Sequence, residues 1–326
     1  MARDHPVLRG RATMKYSIFL PSGFAREFAR FADPIEAFTR LVDISVVADD
    51  AGFHALYAPD HLTTVQPSFD MVFEAWTMLA ALARETVNVR IGHLVTANGY
   101  RNPALQAKMA STLDVVSGGR LTFGIGAGWL EKDHAQYGYE FGTGPERARR
   151  LREAVQVILA LWTERQAGFE GEFYRLRDAV NEPKGVQLPS IPLMIAGNGE
   201  KVTLRLVAQY GSACNLVTSP EVAVHKFGVL RRHCDDAGRD YDSISRTATT
   251  LCIIQDTDAA ARALVPPSSK FVFPDDPGVY GLVGSADTVK RRLAAYEEAG
   301  VQELIVYFED PTSIAQVEEF ARLFVS

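Results

Sequence analysis

The amino-acid sequence predicts a single α/β domain, a (β/α)8 TIM barrel with inserted segments. Short apolar runs alternate with longer helical patterns, which is typical of parallel strands joined by right-handed crossovers. Eight such units fit into the 326 residues, and about 250 residues are typical of a barrel without large insertions. The first strand ends at "LPSG" (20–23) without opening a helix at once, which disfavours the competing doubly wound fold.

The first half of the chain contains four strand–helix units. Residues 1–13 are expected to form a flexible N-terminal extension, and the barrel domain is expected to span 14–326. Gly52 is the predicted C-cap of the first helix, and Pro145 lies in the predicted first turn of the fourth. The predicted strand and helix of each unit cover 15–20 and 35–51, 53–59 and 71–85, 87–97 and 102–119, and 120–126 and 145–164.

The second half contains four further units and two irregular regions. An insertion rich in turns and acids near 165–190, and a Pro-rich patch near 265–283, interrupt the alternation. The predicted strands and helices cover 191–197 and 200–211, 212–217 and 220–238, 245–254 and 285–299, and 301–308 and 312–325.

Composition limits the class of protein. The net charge of −6 argues against a general nucleic-acid binder, because phosphate contacts need a basic surface. No run approaches the ~20 apolar residues of a membrane span, and the N-terminal residues lack the apolar core of a secretory signal. The three cysteines, Cys214, Cys234 and Cys252, show no C-x-x-C pairing. We therefore expect a cytoplasmic protein without membrane or nucleic-acid partners.

Polar residues follow several of the predicted strands, at the end of a barrel where active sites lie. Asp60 and His61 follow the second strand, and histidine is the usual proton-transfer group near neutral pH. The alternative is an aspartate that caps a turn beside a histidine satisfied by the backbone. The histidine spacing shows no H-x-x-x-H or H-E-x-x-H pattern, so no metal site is expected.

Two glycine-rich segments follow later strands. "GIGAGW" (124–129) has the spacing G-x-G-x-G, one residue short of the dinucleotide-binding fingerprint. "AGNGEKVT" (196–203) joins a strand to a helix, and free N–H groups at a helix N-terminus bind phosphate. A plain strand–helix connection with glycine for turn geometry explains the second segment equally well.

Three stretches together resemble the luciferase-like family of flavin- and deazaflavin-dependent oxidoreductases. They are "AGFHALYAPDHL", "VNVRIGHLVTANGYRNPALQAKMASTLDVVSGGRLTFGIGAGW" and "IPLMIAGNGEKVTLRLVAQYG", and the similarity extends over nearly the whole chain from Met14. The resemblance implies a (β/α)8 barrel with an isoalloxazine-type ring across its mouth. It also implies a non-prolyl cis peptide bond near His93–Leu94, behind the ring.

The resemblance implies a set of cofactor-binding residues. The third strand end would lie behind the ring, the glycines after the fourth strand beside it, and the loop after the fifth strand at the phosphate. These residues are Leu94, Thr96 and Asn98, then Gly126, Ala127 and Gly128, then Ala196, Gly197, Asn198 and Gly199.

The Asp60–His61 pair resembles members that use coenzyme F420, which implies hydride transfer to or from a small organic substrate. His61 is then the predicted proton donor, with Asp60 orienting it. Trp129 stands where the sugar-phosphate dehydrogenases of this branch have a glutamate, which argues against a sugar phosphate. Glu131 is our predicted replacement, although Asp133 or His134 could take its place.

Alternative functions stay open at this point. FMN-dependent members of the family are mostly monooxygenases that receive reduced flavin from a partner reductase. A non-catalytic flavin-binding barrel is the third hypothesis. A homodimer is expected because dimers are the commonest assemblies.

Overall fold

The structure is a computed structural model that describes residues 14–325. The predicted extension, 1–13, lies outside the described residues. The strands are β1 (Lys15–Phe19), β2 (Ala55–Ala58), β3 (Arg90–His93), β4 (Thr96–Ala97), β5 (Leu121–Gly126), β6 (Ala167–Glu170), β7 (Arg175–Ala179), β8 (Leu193–Ala196), β9 (Ala213–Val217), β10 (Ser245–Ile254), β11 (Leu282–Gly284) and β12 (Glu303–Phe308).

Eight of these strands close into a parallel barrel, which confirms the predicted fold. The order around the barrel is β1, β2, β3, β5, β8, β9, β10 and β12, and β12 pairs with β1 to complete the circle. Ser17 faces Ile305 across that last seam. The short strands β4 and β11 extend the sheet beside β5 and β10.

Helices surround the barrel in sequence order. They are α1 (Pro34–Asp50), α2 (Ala75–Glu85), α3 (Pro103–Val116), α4 (Glu131–Tyr137), α5 (Gly144–Thr163), α6 (Thr203–Tyr210), α7 (Pro220–Ala237), α8 (Asp258–Ala263), α9 (Pro277–Tyr280), α10 (Ala286–Glu298) and α11 (Ile314–Phe324). Helix α1 shows why these segments fold as they do. The Asp33 side chain caps its first turn, and Leu41, Ile44 and Ala48 form its buried face at helical spacing.

The insertion near 165–190 contains an antiparallel hairpin, β6–β7, which the sequence pattern did not predict. The carboxylate of Glu153 on α5 attaches the tip of this hairpin to the barrel. It accepts hydrogen bonds from the backbone N–H groups of Glu172, Phe173 and Tyr174 at 2.9, 2.9 and 3.2 Å. A buried carboxylate held by three N–H groups fixes the hairpin against the outside of α5.

The predicted strand 87–97 is interrupted. β3 ends at His93 and β4 resumes at Thr96, and the peptide bond between Leu94 and Val95 is cis. The expected non-prolyl cis bond near His93–Leu94 is therefore confirmed, one residue further along the chain. The neighbouring strand β5 approaches this segment so closely that a Cβ on Gly124 would lie 1.9 Å from the His93 carbonyl oxygen. Glycine at 124 is required by this contact.

Two features are absent from residues 14–325. No helix in this part of the chain is both long and apolar enough to cross a membrane. The same residues contain no group of three or more His, Cys, Asp or Glu side chains arranged to hold a metal ion.

Candidate active site

A cavity of about 530 Å³ opens at the carboxyl ends of the barrel strands. Residues that follow or end β1, β2, β4, β5, β8 and β9 line it, together with a segment from the irregular region after α8. Its volume falls in the range of about 300–1,000 Å³ that is usual for small-molecule sites. The principal lining residues are Phe24, Asp60, His61, Leu94, Val95, Ala97, Tyr100, Gly126, Ala127, Gly128, Trp129, Ala196, Gly197, Asn198, Thr203 and Lys270 to Pro274.

One wall of the cavity is apolar and has few protruding side chains. Leu94 and Val95 contribute to it from the segment between β3 and β4, and Gly126 and Gly128 from the end of β5. A Cβ on Gly126 would lie 2.8 Å from Val95 Cγ2, and Gly128 has φ +80°, so glycine suits both positions. Such a wall can accept a flat ligand at close range.

His61 lies at this cavity between two aromatic side chains. Phe24 stacks on the imidazole at a centroid distance of 5.1 Å, and Trp129 meets it edge-on at 5.4 Å. Nδ1 lies 2.9 Å from the Asp133 Oδ2 atom. Because a carboxylate accepts here, Nδ1 carries the proton, and Nε2 is the nitrogen left for a ligand.

Asp133, on α4, is fully buried and accepts hydrogen bonds from several donors. Besides His61, the hydroxyl of Thr63 donates at 2.5 Å, the hydroxyl of Tyr100 at 2.8 Å and the N–H of Leu62 at 3.3 Å. Burial alone would raise the pKa of Asp133, but the hydrogen bonds from His61, Thr63 and Tyr100 outweigh burial and lower the pKa. Asp133 is therefore a fixed negative charge behind His61.

Asp60 does not orient His61, so that prediction was wrong. Its carboxylate accepts two bonds from Arg101, at 2.7 and 3.1 Å, and one from the Thr96 hydroxyl at 2.6 Å. Arg101 in turn donates to Glu74 at 2.6 Å. Adjacent side chains at a strand end diverge, so Asp60 joins a structural ion-pair network while His61 meets Asp133.

The other predicted site residues do not all line the main cavity. Glu131, the predicted replacement for the missing glutamate, is exposed at the start of α4 and outside the cavity lining, because it lies on the outer side of that short helix. Thr96 is buried behind the wall, between the cavity-lining Val95 and Ala97. Asn98 lines a neighbouring cavity. The remaining predicted cofactor residues line the main cavity except Gly199.

The loop after β8 provides the polar end of the cavity. Gly197 has φ +134°, and α6 begins at Thr203 without a side-chain cap. Lys226 donates to the Asn198 carbonyl at 2.9 Å and so holds the loop from outside. The start of α6 has no side-chain cap, although the Leu204 N–H donates to the Gly199 carbonyl oxygen at 3.0 Å. A helix start of this kind beside glycines is typical of sites that bind phosphate.

Sequence reasoning missed several residues of this site. Asp133 was considered only as a substitute for a catalytic acid, not as the partner of His61, and the two are 72 residues apart. No sequence pattern pointed to Phe24, Tyr100 or the lining segment 270–274. Only the folded barrel brings these segments together.

Comparisons with known proteins identify the family of this chain. Residues 14–276 match the family model described as luciferase-like monooxygenase. The F420-dependent hydroxymycolic acid dehydrogenase of Mycobacterium tuberculosis is 29% identical over 69% of this chain and 61% of its own. The F420-dependent glucose-6-phosphate dehydrogenase of Kineococcus radiotolerans is 34% identical over 64% of this chain and 62% of its own. The alignments thus span less than two-thirds of the length of these two curated relatives.

Solved structures share the fold at low identity. An F420-dependent secondary alcohol dehydrogenase in complex with an F420–acetone adduct superposes with a TM-score of 0.80, at 20% identity over 96% of this chain and 98% of its own. A monooxygenase from Streptomyces bottropensis superposes with a TM-score of 0.79, also at 20% identity, over 96% and 99%. Because the family model covers most of the chain, this protein belongs to the luciferase-like monooxygenase family.

Proposed function

We propose that this protein is an F420-dependent oxidoreductase. It transfers a hydride between reduced deazaflavin and an activated C=C or C=N bond, or a carbonyl, of a small organic substrate, or runs the reverse reaction. The observation that carries the proposal is the buried His61–Asp133 pair beside a flat apolar wall. Two relatives that bear names of F420-dependent dehydrogenases support the choice of cofactor.

The residues of the main cavity fit a flat cofactor with an anionic chain. The wall formed by Leu94, Val95, Gly126 and Gly128 suits a ring system, and the uncapped start of α6 suits a phosphate. Ala127 would then lie beside the ring and the side chain of the cofactor, and the loop 196–199 would hold the phosphate. When bound, F420 supplies the hydride chemistry.

The chain's own groups control the proton and the water. Asp133 fixes the tautomer of His61, so that Nε2 can hold or release a proton at the substrate. A protonated imidazole is stabilised by the carboxylate behind it. Phe24 and Trp129 cover two sides of the ring and limit the access of water to it. Asp60 acts indirectly, by holding Arg101 and Thr96 behind the wall.

An FMN-dependent monooxygenase with a partner reductase is the second candidate. The observation in its favour is the monooxygenase neighbour, whose TM-score of 0.79 nearly equals that of the F420-dependent neighbour. A non-catalytic barrel is disfavoured. In such a barrel side chains would fill the mouth, whereas a cavity of about 530 Å³ lies at the mouth of this one.

We also propose that the protein forms a homodimer, which light scattering during size-exclusion chromatography would test.

Turnover under two conditions tests the proposed function. Under anaerobic conditions, reduced F420 is mixed with the protein and a panel of enones, imines and ketones, and oxidation of the deazaflavin is followed by absorbance. In parallel, reduced FMN and oxygen are supplied with the same compounds. We expect electrophile-dependent oxidation of F420 alone. Oxygenated products formed with FMN, and no reaction with F420, would contradict the proposal.

A further inference from the structure

Part of the main cavity lies outside the region assigned to the cofactor. The flat wall and the loop 196–199 would hold the ring and the phosphate, and the rest of the lining comes from the loop after β1, the end of β2, the residues after β5 and the segment after α8. Four rings from this remainder form what we call the aromatic sector: Phe24, His61, Trp129 and Phe271.

The rings of the aromatic sector lie against one another. Phe24 is nearly parallel to the His61 imidazole, with an interplanar angle of 14°, and Trp129 is nearly perpendicular to it, at 81°. Phe24 and Phe271 also line a smaller adjoining cavity together. A substrate atom in hydrogen-bond contact with His61 Nε2 therefore lies close to the rings of Phe24 and Trp129.

Two rings of the aromatic sector are exposed although they are large and apolar. Trp129 is 54% and Phe271 45% exposed, whereas Phe24 is only 2% exposed. Large apolar side chains that are exposed at a cavity are typical of ligand-binding sites. An apolar group of a ligand would remove both rings from water, which favours binding.

The charges of the cavity lining do not offer a partner for a charged substrate group in this sector. Among the described lining residues Asp60 is the one carboxylate, and Arg101 and the Thr96 hydroxyl already bind it. Lys270 is the one ammonium in the same lining. It is exposed to water and lies 5.4 Å from the centroid of the Phe271 ring. The aromatic sector thus suits an uncharged group.

We propose that the substrate is an uncharged compound with an aromatic ring next to its reducible bond, and that Trp129 and Phe271 determine this specificity. The proposal rests on the proposed function, since His61 Nε2 would meet the polar end of the reducible group. The aromatic ring of the substrate would pack on the exposed faces of Trp129 and Phe271. Aromatic pairs in stacked or edge-to-face contact bind more tightly than their apolar area alone predicts.

Four enones test the substrate class with reduced F420 under anaerobic conditions. They are benzylideneacetone, its analogues with methyl or cyclohexyl in place of phenyl, and its analogue with a carboxylate on the phenyl ring. We expect kcat/KM to fall about ten- to a hundredfold from phenyl to methyl and about two- to tenfold from phenyl to cyclohexyl. The carboxylate should lower kcat/KM at least about tenfold, because its charge would be buried without a partner.

Variants test whether the two exposed rings cause the preference for phenyl over methyl. Trp129→Ala and Phe271→Ala should each lower this ratio of kcat/KM about three- to tenfold, mainly through a higher KM for benzylideneacetone, and Trp129→Phe should recover part of the loss. The ratio is measured because Trp129 also shields His61, and loss of that shielding affects both enones. Phe69→Ala is the matched control, because Phe69 is fully exposed and lies outside the cavity lining.

Binding of benzylacetone, the saturated ketone, tests the aromatic sector without turnover. Trp129 is the exposed one of the three tryptophans, since Trp76 and Trp162 are 4% and 3% exposed, so iodide quenches chiefly the fluorescence of Trp129. The measurement is made without cofactor and with oxidised F420. We expect benzylacetone to protect this fluorescence in the wild type and in Phe69→Ala, and much less in Phe271→Ala.

The outcomes separate this proposal from the proposed function. If no enone oxidises reduced F420 while benzylacetone protects Trp129, the proposed function fails and the aromatic sector stands. The proposal is overturned if benzylacetone gives no protection in either condition, or if the phenyl-to-methyl ratio is the same in the wild type, Trp129→Ala and Phe271→Ala. Equal kcat/KM for the phenyl and cyclohexyl enones would contradict an aromatic substrate. A preference for the carboxylated enone that Lys270→Gln abolishes would contradict an uncharged one.

Discussion

Replacing Asp133 with asparagine removes one charge from behind His61 and changes the size of the side chain very little. The amide oxygen can still accept from His61 Nδ1 and the Tyr100 hydroxyl if the amide nitrogen turns toward Thr63, whose hydroxyl can also accept. The geometry is thus kept and the counter-charge of a protonated His61 is lost.

The magnitude follows from the type of hydrogen bond that is lost. A bond to a charged group contributes about 1.5–3 kcal/mol and a neutral one about 1 kcal/mol. The difference, about 0.5–2 kcal/mol, corresponds to a roughly two- to thirtyfold loss of rate if His61 is charged in the transition state.

The assay is the rate of oxidation of reduced F420 with an accepted electrophile, together with the dissociation constant of F420. We expect Asp133→Asn to lower kcat by that factor and to change F420 affinity less than threefold. Glu131→Gln is the matched control, because Glu131 lies two residues earlier on the same helix and is exposed. Equal rates in Asp133→Asn and the wild type, or a loss in Glu131→Gln, would refute the reasoning.

Further predictions concern His61, two glycines and a partly buried acid, Glu27. His61→Ala should bind F420 normally and lose about a hundredfold or more in turnover, which stopped-flow absorbance would measure. Gly124→Ala should lower the free energy of unfolding by more than ~2 kcal/mol, since its Cβ would meet backbone at 1.9 Å. Gly228→Ala, inside α7 with no atom nearer than 3.9 Å, should raise it by about 0.5–1 kcal/mol, and urea denaturation would show both effects. Burial raises the pKa of Glu27 from 4.5 to about 7, so the folded state holds a proton that the unfolded state has lost between those values, and stability falls as pH rises through that window. Glu27→Gln should therefore gain stability over the wild type at pH 8 and not at pH 4, and a Tm difference that is independent of pH would speak against this.

The sequence predicted the barrel because local patterns determine it. Apolar runs, the proline in the first turn of α5 and the glycine after α1 each act within a few residues. The same local reasoning failed for the hairpin in the insertion, since Glu153, which anchors it, lies about 20 residues away on another element. Contacts of this range leave no periodic signal.

The site was predicted in part for the same reason. His61 and the glycines of β5 could be placed because barrel topology puts strand ends at one mouth. The partner of His61 could not, because Asp60 is its neighbour in sequence while Asp133 is its neighbour in space. Whether Thr96 or Val95 faces the cavity depends on the register of a short strand, which sequence alone does not specify.

Titration of the purified protein with F420 and, separately, with FMN tests the central claim most directly. Absorbance and fluorescence of each cofactor report binding at the barrel mouth. The account predicts micromolar or tighter binding of F420 and no binding of FMN in the same range. Tight binding of FMN alone would contradict the proposed cofactor and favour oxygen chemistry with a partner reductase.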